Sequence, residues 1–88
     1  MNKEQIKVFV VKAAKKKLAL LGLENEKLSD STDLVREGIF DSLSFVDLIA
    51  DCENEFSVVI KLEKYPAAEF TQLGKLAQII FESEKNNI

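Results

Sequence analysis

The chain contains no histidine, no tryptophan, one cysteine, one proline and only three glycines in 88 residues. Without histidine, the Ser-His and Cys-His routes to an activated nucleophile are closed. Without histidine and with a single Cys52, a zinc site or a Cys/His metal cluster is excluded as well. One cysteine also rules out an internal disulfide, which fits a reducing, cytoplasmic setting. No glycine-rich phosphate loop is present. No apolar run approaches the roughly 18 residues that a membrane span needs. The N-terminal stretch MNKEQIKVFVVKAAKKK is basic, but it carries lysines throughout and lacks a small-residue cleavage site, so it does not read as a signal peptide. Together these absences argue against an enzyme.

What remains is a helix-forming composition rich in Lys, Glu, Leu, Ala and Ile. A hydrophobic share of 47% with 31% charged residues fits a soluble globular chain. The length suits a single domain over residues 1–88, near the small end of what folds alone, where only about 60% of the unfolded surface is buried. The net charge of −3 is unevenly spread. Residues 1–27 hold seven lysines against three glutamates, and residues 28–88 hold five basic against twelve acidic residues. The cluster Lys12, Lys15, Lys16 and Lys17 has no interleaved aromatics and sits in a chain of negative charge, so it reads as a solvated helix face; neither nucleic acid nor membrane is an expected partner.

Periodicity predicts a first helix over residues 3–21, capped by Asn2 with Gln5 three residues on in a capping-box arrangement. Its inward stripe is Ile6, Phe9, Val10, Ala13, Leu20 and Leu21, with Val8, Val11 and Leu18 off it. Gly22 ends it. Residues 23–41 lose periodicity, and LSDSTDL is dense in turn formers. Leu28, Leu34, Ile39 and Phe40 punctuate this long loop and should pin it to the core; loops of this length in a small domain tend to be functional. Asp41 is a good N-cap for a second helix to about residue 56, with Leu43, Val46, Ile49, Ala50 and Phe56 as its core side and Cys52 nearby. After an extended VVIKL and one turn near Pro66, Thr71 should cap a last helix whose inward stripe is Leu73, Leu76, Ala77, Ile80 and Phe81. The fold class is therefore all-α, a small four-helix bundle with one long connection.

The stretch GIFDSLSFVDLI, residues 38–49, puts Ser42 at the mouth of the second helix with no base to activate it. Taken alone, Asp-Ser-Leu is an ordinary helix start. Taken with LVREGIFDSLSFVDLI, ENEFSVVI and FTQLGKLAQII, the order of elements resembles the acyl carrier protein family, which includes peptidyl and aminoacyl carriers. The matching positions are Leu34, Gly38, Asp41, Ser42, Leu43, Phe56, Ile60, Thr71, Leu76 and Ile80. The resemblance implies a four-helix bundle of the acyl-carrier-protein type and 4′-phosphopantetheine attached to Ser42 by a phosphopantetheinyl transferase. The physical reading agrees, because a helix N-terminus favours the negative charge of a phosphodiester. Asp41 would orient Ser42, Gly38 would let the loop turn before the helix, and Leu43 is implied as a contact for the transferase and partner enzymes, with plain core packing as its other reading.

The family also implies an acidic docking surface on the second helix, here Asp47, Asp51 and Glu55, since complementary charge raises on-rate and specificity. An acyl- or aminoacyl-loading ligase and downstream synthase enzymes would be the further partners, and the chain is expected to be a monomer. Ser44 and Phe45 follow Asp-Ser-Leu where many fatty-acid carriers have an acidic residue, and the segment before Phe70 includes Pro66. These departures place a D-alanyl or other aminoacyl carrier beside an acyl carrier as the reading, with a helical interaction module lacking a prosthetic group as the alternative from another class. A buried cargo would require an apolar space, for which Val46, Ile49, Ala50, Ile60, Leu62 and Leu76 are the candidate lining. Cys52 is expected to be a buried small side chain.

Overall fold

Asn2 starts the first helix as its sequence context dictates. In the computed structural model, which describes residues 2–23 and 25–85, α1 runs Lys3–Leu20. The Gln5 N–H donates to Asn2 Oδ1 at 2.8 Å, and the Asn2 N–H donates to Gln5 Oε1 at 3.0 Å. The helix closes in a Schellman turn, with the Leu23 N–H on the Leu18 carbonyl at 2.7 Å and the Gly22 N–H on that of Ala19 at 3.1 Å. Then come α2 (Ser42–Phe56), a 3-10 turn (Leu62–Lys64), α3 (Ala67–Phe70) and α4 (Leu73–Lys85). Residues 58–62, expected to be extended, pair with no strand, and Leu62 instead opens the 3-10 turn. The described residues contain only one isolated antiparallel bridge, Asp33 with Gln72. The architecture is the small all-α bundle the sequence predicts, with the third helix reduced to a single turn. The ends of the expected domain, Met1 and residues 86–88, lie outside the described residues.

The core is built from Ile6, Val10, Ala14 and Leu18 of α1, Phe45, Leu48, Ile49 and Cys52 of α2, and Leu73, Leu76, Ala77, Ile79 and Ile80 of α4. Helix α1 packs chiefly on α4, and its contact with α2 is lighter. Three expectations are corrected here. Leu18 is buried, whereas Leu20 and Leu21 are exposed, because the inward line of α1 follows i, i+4 steps and drifts around the helix. On α2, Leu43, Val46 and Ala50 face solvent, and Phe45 and Leu48 take the core. Both sets have helical spacing; packing against neighbouring elements, rather than periodicity, decides between them. With Val46 and Ala50 outside and Ile49, Ile60 and Leu76 buried, the six candidate cargo-lining residues do not face one common space.

The long loop is pinned as predicted, and the pins are specific. Leu34 is fully buried; its N–H donates to the Thr71 carbonyl at 2.8 Å and its carbonyl accepts from the Phe40 N–H at 2.9 Å. Asp33 holds the same crossing. Its Oδ1 accepts from the N–H groups of Val35 (3.1 Å) and Arg36 (2.8 Å), and its Oδ2 accepts from the Thr71 hydroxyl at 3.0 Å. Thr71 is thus spent on the loop and on the Ala67 carbonyl, and it does not cap α4 as expected. The Gln72 carbonyl accepts the first bond within α4, from Leu76, and the free N–H groups of Leu73 and Gly74 donate to the Thr32 and Asp30 carbonyls, both at 2.9 Å. That approach requires a glycine, since a Cβ on Gly74 would stand 2.8 Å from the Asp30 Cβ and 3.1 Å from its carbonyl oxygen. The Lys7–Asp30 ion pair at 2.8 Å lies on the surface and adds little.

Burial works against the charge of Asp33, yet the N–H groups of Arg36 and Val35 and the Thr71 hydroxyl hold its carboxyl below the usual range. A group whose folded pKa is depressed contributes stability above the unfolded value, near 3.9, and loses it as pH falls through the folded value. Asp33→Ala should cost about 2 kcal/mol at pH 7, the scale of charged hydrogen bonds lost from a partly buried site. Urea titrations from pH 7 to pH 2 should show the gap between variant and wild type closing below about pH 4; a gap that persists at pH 2 would mean packing, not the carboxylate, carries the crossing.

Candidate functional site

The segment leading into α2 is fixed residue by residue. Gly38 sits at φ +80°, a region open to glycine, so the chain reverses before Ile39 and Phe40 enter the core. Phe40 meets Phe45 edge-on at 6.5 Å, and Phe45 stacks on Phe70 at 6.0 Å, so the loop end, α2 and α3 share one aromatic cluster. Asp41 then caps α2. The Ser44 N–H donates to its Oδ1 at 2.8 Å, and its own N–H donates to Ser44 Oγ at 3.0 Å, a reciprocal capping box. That Ser44 N–H, the Ser44 hydroxyl and the nearby Lys17 ammonium hold the Asp41 carboxyl below the usual carboxylate range.

Ser42 is the first residue of the helix and is exposed, and no described side chain hydrogen-bonds its Oγ. The hydroxyl therefore stands free at the positive end of a fifteen-residue helix. Leu43, next to it, is 80% exposed, which removes the core-packing reading of that residue. Asp47, Asp51 and Glu55 are exposed too, on a different flank of α2, where they line a groove opposite Lys12, Lys16 and Lys17 of α1. Ser42, Asp41 and Leu43 are thus contiguous at the helix start, and the three acids form a separate stripe. The sequence reading gave Lys17 no role at the site. Its ammonium lies 6.0 Å from the centroid of the Phe40 ring, and the sequence signal for it is only an i, i+1 lysine run at the end of α1.

A family model described as a phosphopantetheine attachment site matches residues 18–80. The chain belongs to the acyl and peptidyl carrier protein family. No curated protein and no solved structure matches it. Carriers of this family hold 4′-phosphopantetheine covalently, so this is a phosphopantetheine carrier of helical-bundle fold. Its start of α2 fits such a group: an exposed hydroxyl, a helix N-terminus that favours an anion, and a cation close by. Among the described residues, no helix is long and apolar enough to cross a membrane, and no cluster of acids and cysteine suits a metal ion.

The working thiol of a carrier belongs to the prosthetic group, which makes the chemistry of Cys52 worth separating from it. Cys52 is fully buried, and burial first, then the acids Asp51, Glu53 and Glu55, push its thiol up to about 12. At pH 8 only about one molecule in ten thousand would carry the thiolate there, and the thiolate is the reactive form. Native unmodified protein should therefore react with a disulfide thiol reagent at least about 100-fold more slowly than the same protein in denaturing urea. Equal rates would show that Cys52 is accessible in the native state.

Proposed function

We propose that this protein is a stand-alone carrier, one domain over residues 1–88, that holds an acyl or aminoacyl group as a thioester on 4′-phosphopantetheine attached to Ser42. The observation that carries the reading is the free, exposed Ser42 hydroxyl at the start of α2, with its backbone fixed by Asp41 and no imidazole anywhere in the chain to make it a nucleophile for catalysis. It suits a substrate of modification better than a catalyst. A transferase would join Ser42 Oγ to the phosphorus of coenzyme A that bears pantetheine, releasing adenosine 3′,5′-bisphosphate and the hydroxyl proton. The thiol at the far end of the arm then bears the cargo. We take the protein as a cytoplasmic monomer that works with a loading ligase and downstream synthases, and as no enzyme itself.

The exposed apolar side of α2 supports a docking surface beside Ser42. Leu43 and Val46, 80% and 60% exposed, sit on the outer face of the helix, and the acids Asp47, Asp51 and Glu55 flank them. A compact apolar contact rimmed by charge is the usual anatomy of a transient interface. D-alanyl or other aminoacyl loading is the second reading, favoured by the Ser44–Phe45 pair after Asp-Ser-Leu. Val46 and Ala50 face solvent while Ile49, Ile60 and Leu76 are buried, so the expected lining does not assemble around one space for a long acyl chain.

Incubation with coenzyme A and a broad-specificity transferase should add one phosphopantetheine by mass, and Ser42→Ala should abolish the gain. Unmodified wild type under conditions that convert a control carrier would favour an interaction module without a prosthetic group.

Docking is tested separately. Replacing Asp47, Asp51 and Glu55 together by lysine should slow modification about tenfold at low salt and less at 0.5 M salt, since the interaction is screened. Leu43→Ala should slow it at both ionic strengths. Rates unchanged for both variants would move the partner surface off α2.

A further inference from the structure

The end of α1 carries apolar side chains that the core does not use. Of the seven large apolar side chains exposed among the described residues, three fall within residues 20–23: Leu20 (82% exposed), Leu21 and Leu23. Gly22, at φ +74°, folds the chain back so that the Leu23 N–H reaches the Leu18 carbonyl, and the three leucines gather at one tip. One turn earlier come Lys15, Lys16 and Lys17. Consecutive helix residues stand about 100° apart, so the lysines form a partial collar about 6 Å back along the axis. Lys15 and Lys16 are exposed and close no ion pair among the described residues, whereas Lys17 is half-buried over Phe40. Residues 5–23 contain no acid, and residues 12–27 hold a net +3, five lysines less Glu24 and Glu26. The sequence reading put Leu20 and Leu21 inward, which left the lysines as a solvated face. With the leucines outside, the lysines instead flank an apolar end.

We propose that this tip docks on an anionic lipid surface, with the leucines entering the acyl boundary and the lysines resting among the headgroups. Exposed apolar side chains grouped in this way mark an interaction site. Charge selects the chemistry of the partner, because unpaired lysines attract a negative surface. Shape selects between partners of that charge. The leucines protrude at the end of a helix rather than line a concavity, so a protein would need a matching apolar cup with an acidic rim. A bilayer needs no cup, since its apolar interior lies directly beneath a negatively charged layer. The depth order of the tip, apolar first and cationic one turn back, is the order of those layers. A second copy fits worst, because two tips related by a two-fold axis would set lysine against lysine. Docking end-on also orients the molecule. Helix α1 runs antiparallel to α2, with Phe9 meeting Phe56 at one end and Lys17 lying over Phe40 at the other. The tip is therefore at the end of the bundle that carries Ser42. Asp41 at that end has Lys17 beside it. Asp51 and Glu55 lie about 14 and 20 Å from Ser42 along α2, beyond a Debye length of about 10 Å, so they oppose docking weakly. The inference does not rest on attachment at Ser42.

The test is vesicle binding by the full chain. Phosphatidylcholine vesicles with about 40% phosphatidylglycerol should bind the protein at about 20 mM salt, and phosphatidylcholine alone should bind it at least about tenfold less. Lys15→Gln with Lys16→Gln, and separately Leu20→Ser with Leu21→Ser, should each weaken binding about tenfold. All four side chains are exposed, so circular dichroism should show the fold unchanged. The chain has no tryptophan, which makes Leu20→Trp a single reporter of depth. On anionic vesicles its emission should shift to the blue and be quenched by brominated lipid. Val59→Trp, exposed past the other end of α2, should show neither effect. No binding to anionic vesicles at low salt would overturn the proposal. So would binding with Leu20→Trp unquenched, which is adsorption by charge without insertion, or leucine-dependent self-association without lipid, which would assign the tip to a second copy. Ser42→Ala should bind as wild type does. Vesicle binding by a protein that gains no mass from the transferase would sink the carrier reading and leave the tip standing.

Discussion

The placement of Ser42 depends on one crossing, where Leu34 is bonded on both sides of its peptide: to the Thr71 carbonyl through its N–H and to the Phe40 N–H through its carbonyl. A loop of about twenty residues is costly to order, and each doubling of loop length adds only a modest further cost. Ordering is offset here because the loop supplies what α4 lacks. The first N–H groups of α4 have no partners inside the helix, and the carbonyls of Asp30 and Thr32 accept from them. The loop and the helix start therefore stabilise each other. Fully burying the Leu34 side chain adds roughly 2 kcal/mol. From that anchor only residues 35–40 separate the crossing from the cap at Asp41, and Phe40 is itself bonded back to Leu34, so the helix that carries the serine is registered against the far end of the chain.

That registration explains how an exposed residue can be well positioned. Ser42 itself touches little, but the residue before it is held by a capping box and the residue before that is buried in an aromatic cluster. The result is a rigid base beneath an exposed hydroxyl at the start of α2. A buried serine would gain packing and lose access. A serine in the middle of the loop would keep access and lose the field of the helix N-terminus.

The parts of the structure legible in the sequence are those set by neighbours along the chain. Asn2 with Gln5, Gly22 after Leu21, and Asp41 before Ser42 each specify a local geometry that needs no knowledge of the fold, and each appears as read. Helix faces were less legible. On α2, Phe45, Leu48, Ile49 and Cys52 compete with Leu43, Val46 and Ala50 as the inward set, and a helix apolar on two sides gives periodicity no way to choose. The outcome turned on which side the other elements pack. Thr71 misled for a related reason: its hydroxyl is a sound cap by type, but Asp33, 38 residues away, bonds it first. Gly74 and Lys17 gave almost no signal, because what defines each is a through-space neighbour, Asp30 for one and Phe40 with Asp41 for the other.

The exposed Leu43 and Val46 and the uneven charge of the sequence then become parts of one arrangement. Helix α2 has three sides around its circumference: a core side, an outer apolar side beside Ser42, and an acidic flank turned to the lysines of α1. Opposite charges that face each other without closing into ion pairs keep much of their hydration, and a surface pair would have contributed little stability in any case. What the open arrangement provides is a groove lined by both charges together with Ala13 and Leu48, and it reaches Ser44, two residues past Ser42.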